Sequence, residues 1–232
     1  MSSVDTLSEQ LIVRLRGDLI EGRLPPNQRL RMGGLEQRYG MSSSPLREAL
    51  NRLVEEGLVV ADQRRGFSVA SMSLEDLDEI TRMRVLLDPA ALADSIAQGD
   101  RNWECEVVAR FHRLEAIERD LGDQAVRLTD DWTDAHRQFH LSLLGACRSS
   151  RHRRWCASLF DQAERYRRLA ARHRSTPRSK AAEHRELMDH VLARRVAAAT
   201  EFLSAHIQAT AAQLHVAVAE GRIRFSQEGS FQ

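Results

Sequence analysis

Lysine is nearly missing from this chain: of 34 basic residues only Lys180 is a lysine. Arginine, whose planar fork suits guanine edges, phosphates and carboxylates, carries the rest. The bias runs through the whole length, so it reflects genome composition more than function. Cysteine is scarce too. Cys105, Cys147 and Cys156 have no metal-ligand spacing, and an odd number excludes a fully paired disulfide framework. They fit a reducing compartment. No apolar run approaches a membrane span, and the first residues lack a signal-peptide core. The expectation is a soluble, cytoplasmic protein with no membrane partner. Internal repeats and low-complexity tracts are absent. Net charge is only +1, so the chain is not a polycation that holds nucleic acid by bulk field.

What remains is length and pattern. The 232 residues suit two modest domains, placed here at 1–72 and 73–232 around the linker Ser71-Met72-Ser73. The first 72 residues hold ten arginines and nine acids, so any basic surface there must be arranged locally. The run from Ser42 to Leu58 reads as a capped helix. Ser42, Ser43 and Ser44 offer cap oxygens, and Pro45 suits the first turn. Leu46, Leu50, Leu53 and Val54 recur at helical spacing, while Arg47 and Arg52 fall off that stripe. Gly57 ends the helix.

Upstream, Leu11, Ile12, Leu15 and Ile20 mark a first amphipathic helix, closed by Gly22 and Pro25-Pro26. A short helix follows over Gly34–Tyr39, and Gly40 turns into the serines. Downstream, Leu58-Val59-Val60 and Phe67-Ser68-Val69 read as strands around a basic tip, Ala61-Asp62-Gln63-Arg64-Arg65-Gly66. The order is helix, turn, helix, wing, and a projecting arginine on such a helix suits a DNA major groove.

Residues from about 8 to 70 therefore resemble the winged-helix domain of GntR bacterial transcription regulators. The resemblance rests on Ile20-Glu21-Gly22-Arg23-Leu24-Pro25, Pro45-Leu46-Arg47-Glu48-Ala49-Leu50, Leu53, Glu56-Gly57-Leu58-Val59 and Gly66. It implies that Arg47 reads a base and that the wing enters the minor groove. Arg31, Arg52, Arg64 and Arg65 would then contact phosphates or flank the groove, and Gly66 would allow close approach. Ser43 and Ser44 stand where the family often has a basic residue, and Gly33 where it often has a charge. Both departures bear on which operator is read.

Beyond Ser73 there is little strand-like alternation. Helices are predicted near 73–98, 101–121, 130–147, 151–173, 178–195 and 197–220, an all-α bundle. The whole is mainly α: an N-terminal winged helix-turn-helix plus a C-terminal all-α helical bundle. Within the bundle, His136 and His140 lie four apart on a face with Trp132, Phe139 and Leu143. His184 shares its side with Leu187, Met188 and Val191, and His206 lies with Phe202, Leu203 and Thr210. Each alone is an ordinary hydrogen-bonded core histidine. Four imidazoles on three inward faces can also converge on one metal ion. His190, flanked by Glu183 and Glu186, reads as a surface residue.

Residues from about 75 to 218 resemble the FCD ligand-binding domain of the FadR subfamily of GntR regulators. Arg84-Val85-Leu86-Leu87-Asp88-Pro89, Phe139-His140, Glu183-His184-Arg185 and Ala205-His206-Ile207 carry it. It implies a divalent metal held by His140, His184 and His206, with His136 where the family has an acid. An imidazole for a carboxylate makes the site softer and favours zinc or nickel. The resemblance also implies a small carboxylic acid as effector. Arg84 and Arg167 on inward faces, with Tyr166 nearby, suit a carboxylate, although Asp88, one turn on, can instead pair with Arg84. The runs Trp132–His140, Cys147-Arg148-Ser149 and Arg165-Tyr166-Arg167 resemble the CsiR-type branch, whose members control catabolism of five-carbon dicarboxylates such as glutarate and 2-hydroxyglutarate.

The expectation is a homodimer that binds a double-stranded DNA operator as a repressor and is released by the acid. Two other classes stay open. One is an architectural DNA-binding dimer without ligand. The other is a metalloenzyme fused to a DNA-binding domain, although no general base of the His-Glu-x-x-His kind and no nucleophile with a paired base is visible.

Overall fold

The computed structural model describes residues 7–121, 129–173 and 181–225. These fall into two compact units, one holding the residues up to Asp76 and those from Ile223, the other Leu77–Arg222. Among the described residues no helix is long and apolar enough to cross a membrane.

The first unit is the winged helix. It comprises α1 (Leu7–Ile20), β1 (Arg29–Leu30), α2 (Met32–Tyr39), α3 (Ser43–Glu55), β2 (Val59–Asp62) and β3 (Gly66–Val69). The apolar stripe of α3 buries Leu46, Ala49, Leu50 and Leu53 against Leu11, Leu15 and Leu19 of α1 and Leu35 of α2. Burying each leucine contributes about 1.5–3 kcal/mol, which fixes α3 by one face and leaves the other to solvent. Val54 is only partly buried, at the edge of the stripe. Gly40 ends α2 at φ 67°, a left-handed turn that side chains with a Cβ resist. The strands form an antiparallel sheet of order β1-β3-β2, with Val59 opposite Val69 and Asp62 opposite Gly66.

One strand was not expected. β1 pairs Arg29 with Ser68 and Leu30 with Phe67. Two residues cannot show alternation in sequence, so the pairing is set by the tertiary fold.

The second unit is an α-helical bundle: α4 (Leu74–Gln98), α5 (Arg101–Leu121), α6 (Asp130–Leu143), α7 (Ser150–Arg172), α8 (Ala181–Leu192) and α9 (Val196–Ala219). Its core gathers Leu92, Val107, Leu114, Phe139, Leu187 and Leu203. Two of the gaps between the predicted helices hold caps: Asp100 accepts the Trp103 N–H at 2.9 Å and Ser149 that of His152 at 3.2 Å. The helix predicted to run to 147 stops at Leu143. There the N–H groups of Leu144 and Gly145 bond Leu141 and Ser142, three residues back, and the Arg148 N–H is taken by Asp94. The predicted helix 178–195 is Ala181–Leu192; it is followed by Arg194 at φ 55°, and positions 178–180 lie outside the described residues. So do positions 122–128 and 174–177, which fall in two of the gaps between the predicted helices.

Candidate functional site

In the winged unit Arg47 and Arg52 are exposed on α3, opposite its buried stripe. The serines do not cap as expected. Ser42 holds the N-cap backbone geometry, but its side chain makes no capping bond. Ser43 instead donates to the Glu36 carboxylate, tying α2 to α3. Ser42 and Ser44 are exposed, so hydroxyls face outward beside the start of α3. Arg31 is exposed at the N-cap of α2, and Arg64, Arg65 and Gly66 at the wing tip. Asp62 shapes the tip: its Oδ1 accepts the N–H groups of Arg64 at 2.7 Å and Arg65 at 2.8 Å. Those two bonds hold the Asp62 carboxyl below its ordinary value. Arg29 Nε donates to the Arg65 carbonyl at 3.0 Å, so β1 braces the wing. Gly66 sits at φ 78°, where a Cβ would be strained.

A buried polar node holds this unit together, and the sequence reading missed it. The Tyr39 hydroxyl donates to Asp18 Oδ2 at 2.5 Å, and Arg23 and Arg38 reach the same carboxylate at 2.6 and 2.8 Å. Burial pushes the Asp18 carboxyl up. The bonds from Tyr39 and Arg23 and the charge of Arg38 outweigh that and hold it below the ordinary value. A hint lay in the spacing, because Asp18 follows Leu15 by three on the apolar side of α1.

In the helical unit the four predicted histidines meet. His136 and His140 come from α6, His184 from α8 and His206 from α9. Each offers a ligand atom, and these atoms all lie within 4.8 Å of one another. Ring centroids are 4.3 Å apart for His136–His140, 5.4 Å for His140–His184 and 5.3 Å for His140–His206. The first three rings are buried, with His184 at 0% exposure, and His206 is nearly so. Burial, then the neighbouring His206 and His184, hold His140 well below the ordinary imidazole range. It is therefore neutral, with a lone pair to offer. Its Nε2 is buried and has no hydrogen-bond partner among the described residues, an arrangement that costs free energy unless something satisfies it. A cation accepted by this nitrogen-rich set would do so, and the four residues can coordinate a divalent metal.

The other rings carry partners. His184 Nδ1 lies 3.1 Å from Glu118 Oε1, and His206 Nδ1 lies 2.9 Å from Glu183 Oε2. His136 faces Arg167, whose Nη1 is 2.6 Å from Nδ1 and 3.2 Å from Nε2. A guanidinium only donates, so a ring nitrogen of His136 already serves as acceptor.

Both predicted effector arginines are buried and paired. Arg84 bonds Asp88 at 2.9–3.0 Å and lies over the Phe160 ring at 5.0 Å. Arg167 pairs with Glu164 and lies over the Trp132 and Phe160 rings. Tyr166 is fully buried in the same helix. A cavity of about 10 Å³, room for one water, is lined by Arg84, Asp88, His140, Cys156, Phe160 and Leu203 among others. His190 is not a surface residue as expected: it is partly buried beside Phe202, at a centroid distance of 6.0 Å.

Set beside known proteins, residues 7–69 match the gntR family of bacterial regulatory proteins, and residues 79–209 match the FCD domain. The chain is 39% identical over 210 residues to the HTH-type transcriptional regulator BphR of Paraburkholderia xenovorans (strain LB400), covering 90% of this chain and 86% of that protein. It is 34% identical over 197 residues to the HTH-type transcriptional repressor GlaR of Escherichia coli (strain K12), covering 83% and 89%. Its fold is similar to that of E. coli McbR/YncC, with a TM-score of 0.70 at 22% identity over 96% of this chain and 99% of that one.

Proposed function

The chain belongs to the GntR family of bacterial regulatory proteins and carries an FCD domain, and from that premise we propose that it is a repressor released by a small carboxylic acid. It is a DNA-binding regulator, not an enzyme. The repressor sense draws on the similarity to GlaR, a protein named as one. Within the family we place it in the FadR subfamily, in the CsiR-type branch. That branch makes glutarate and 2-hydroxyglutarate the first acids to try.

Residues 1–72 read the operator. Arg47 contacts a guanine edge, Arg31, Arg52, Arg64 and Arg65 contact phosphates, and Gly66 lets the wing approach the groove. Ser42, Ser43 and Ser44 line the start of the reading helix. Residues 73–232 bind the effector and dimerise. Two winged helices on one two-fold give the affinity that a single half-site lacks. The exposed apolar side chains Met83 and Leu86 on α4 and Trp155 on α7 support a dimer face there. A protein that works on bacterial DNA belongs in the cytoplasm.

His140, His184 and His206 would hold zinc or nickel, the ions an imidazole set suits, and His136 would be the fourth donor once its lone pair is released from Arg167. Bound there, the ion supplies a positive centre for a carboxylate. Arg84, Arg167 and Tyr166 surround the acid. The cavity beside His140 is too small for a five-carbon diacid. Entry must therefore part the helices around it, which couples occupancy to conformation.

The observation that carries this reading is the buried, unsatisfied His140 Nε2 in a four-imidazole cluster. The test is thermal stability with zinc, with chelator and with a panel of mono- and dicarboxylic acids, alongside binding to an operator selected from random DNA. Zinc and one acid should stabilise the protein, and the acid should release the operator. His140→Ala should lose both stabilisations and still bind the operator. An acid response that survives chelation would remove the metal from the mechanism. No response to any acid would sink the effector assignment.

A further inference from the structure

We infer that Glu118 and Glu183 are positioning residues of this metal site, which orient His184 and His206 and supply the negative charge that a divalent ion needs there. The inference rests on the metal reading above. Four neutral imidazoles bring no charge to a buried dication, and an uncompensated buried charge is costly. The nearby arginines do not change the balance: Arg84 is matched by Asp88 and Arg167 by Glu164. Among the described residues Glu118 and Glu183 lie within hydrogen-bond distance of ligand imidazoles, whereas Glu164 Oε2 stands 4.0 Å from His136 Nδ1 and is paired with Arg167. Glu118 Oε1 lies 3.1 Å from His184 Nδ1, and Glu183 Oε2 lies 2.9 Å from His206 Nδ1.

The contact also selects a tautomer. A ring that donates its Nδ1–H to a carboxylate keeps its Nε2 lone pair for a metal, and its orientation is fixed. Glu118 is itself held, because the Trp132 indole N–H donates to the same oxygen at 3.2 Å. Its other oxygen, Oε2, is buried and has no hydrogen-bond partner among the described residues. Helix α8 works on both sides of the site: His184 takes the carboxylate from α5, and Glu183, one residue earlier, orients the ring from α9.

The test uses full-length Glu118→Gln and Glu183→Gln proteins. Glutamine keeps the volume and an acceptor oxygen and removes the charge. Zinc affinity is read by competition with a chromophoric chelator, and the ligand field by the visible spectrum of the cobalt(II) form. Each variant should bind zinc about 10- to 100-fold more weakly, with displaced cobalt bands and an unchanged melting temperature in the metal-free form. Glu115→Gln, on the same helix but paired with Arg119 and Arg185, should match the wild type. Zinc affinity and cobalt spectra equal to wild type in both variants would overturn the inference. Should Glu118→Gln fail to fold, Glu183→Gln on the other helix decides. A wild type that binds no zinc would overturn the metal reading itself, and this inference with it.

Discussion

Asp88→Asn separates the two roles open to Arg84. In the structure the pair is an internal salt bridge at 2.9 Å, with the two side chains only 9% and 5% exposed. Removing one charge of a buried pair strands the other and costs about 3–5 kcal/mol. Two features put this pair at the lower end. Asparagine still offers Arg84 a carbonyl oxygen, and the guanidinium keeps its place over the Phe160 ring. The expected loss is about 3 kcal/mol, or a melting temperature lower by roughly 6–12 °C at 2–4 °C per kcal/mol for a chain of this size.

The variant also leaves a buried guanidinium in need of an anion, beside the cavity that Asp88 helps to line. A carboxylate that reaches Arg84 should restore what Asp88 supplied. At a hundredfold excess over its dissociation constant an acid returns about 2.7 kcal/mol. The assay is a thermal melt of both proteins against acetate, glutarate and 2-hydroxyglutarate at constant ionic strength. The expected result is a larger stabilisation of the variant than of the wild type by the same acid. A variant that melts with the wild type would refute the energetic reasoning for the buried pair. A destabilised variant that no acid rescues would leave Arg84 a structural residue and remove it from the effector site.

Other consequences follow from the winged unit. Arg47→Ala should cost about 1–3 kcal/mol in operator binding and relax the preference at one base pair; fluorescence anisotropy against operator variants measures both, and unchanged discrimination would reject Arg47 as the base reader. Arg64→Ala should weaken all sequences alike and reduce the slope of log affinity against log salt by about one, so an unchanged slope would take the wing off the phosphates. Asp18 fixes an acid limit. Its folded pKa lies below its unfolded value of about 3.9. Its stabilisation is thus complete above that value and is lost as pH falls from there towards the folded pKa. Tyr39→Phe removes one of the bonds that lower the pKa, so its stability should fall less steeply on acidification below pH 4, as urea melts across pH 2.5–6 would detect.

The histidine cluster could be anticipated because helical periodicity tells which side of each helix faces inward, and a bundle has one interior. His136, His140, His184 and His206 each lay on an apolar side, so packing the helices had to bring them near one another. The reading helix was legible for the same reason, since Leu46, Leu50 and Leu53 define its buried face and leave Arg47 outside. The Ser42 cap was misjudged: the residue type fits, but a competing partner, Glu36, sits on a different helix and draws the neighbouring Ser43 to it.

Helix α7 shows where such reasoning stops. Its stretch from Asp161 to Arg172 is dense with charge, and of those charged side chains the sequence reading turned only Arg167 inward. Yet Asp161, Glu164, Arg165, Arg167 and Arg168 are all buried. Each of three has a partner that the helix cannot reveal: Arg137 on α6 bonds Asp161 at 2.6 and 2.9 Å, Arg168 reaches Thr133 on α6, and Arg167 faces His136. A charge can be buried only where another group already waits to meet it. That condition depends on contacts 24 to 35 residues apart in the chain, which local spacing does not encode. It also explains why a helix so polar can pass beside the histidine cluster: Arg167 is paired with Glu164 of the same helix, and Arg168 with Asp130 on α6.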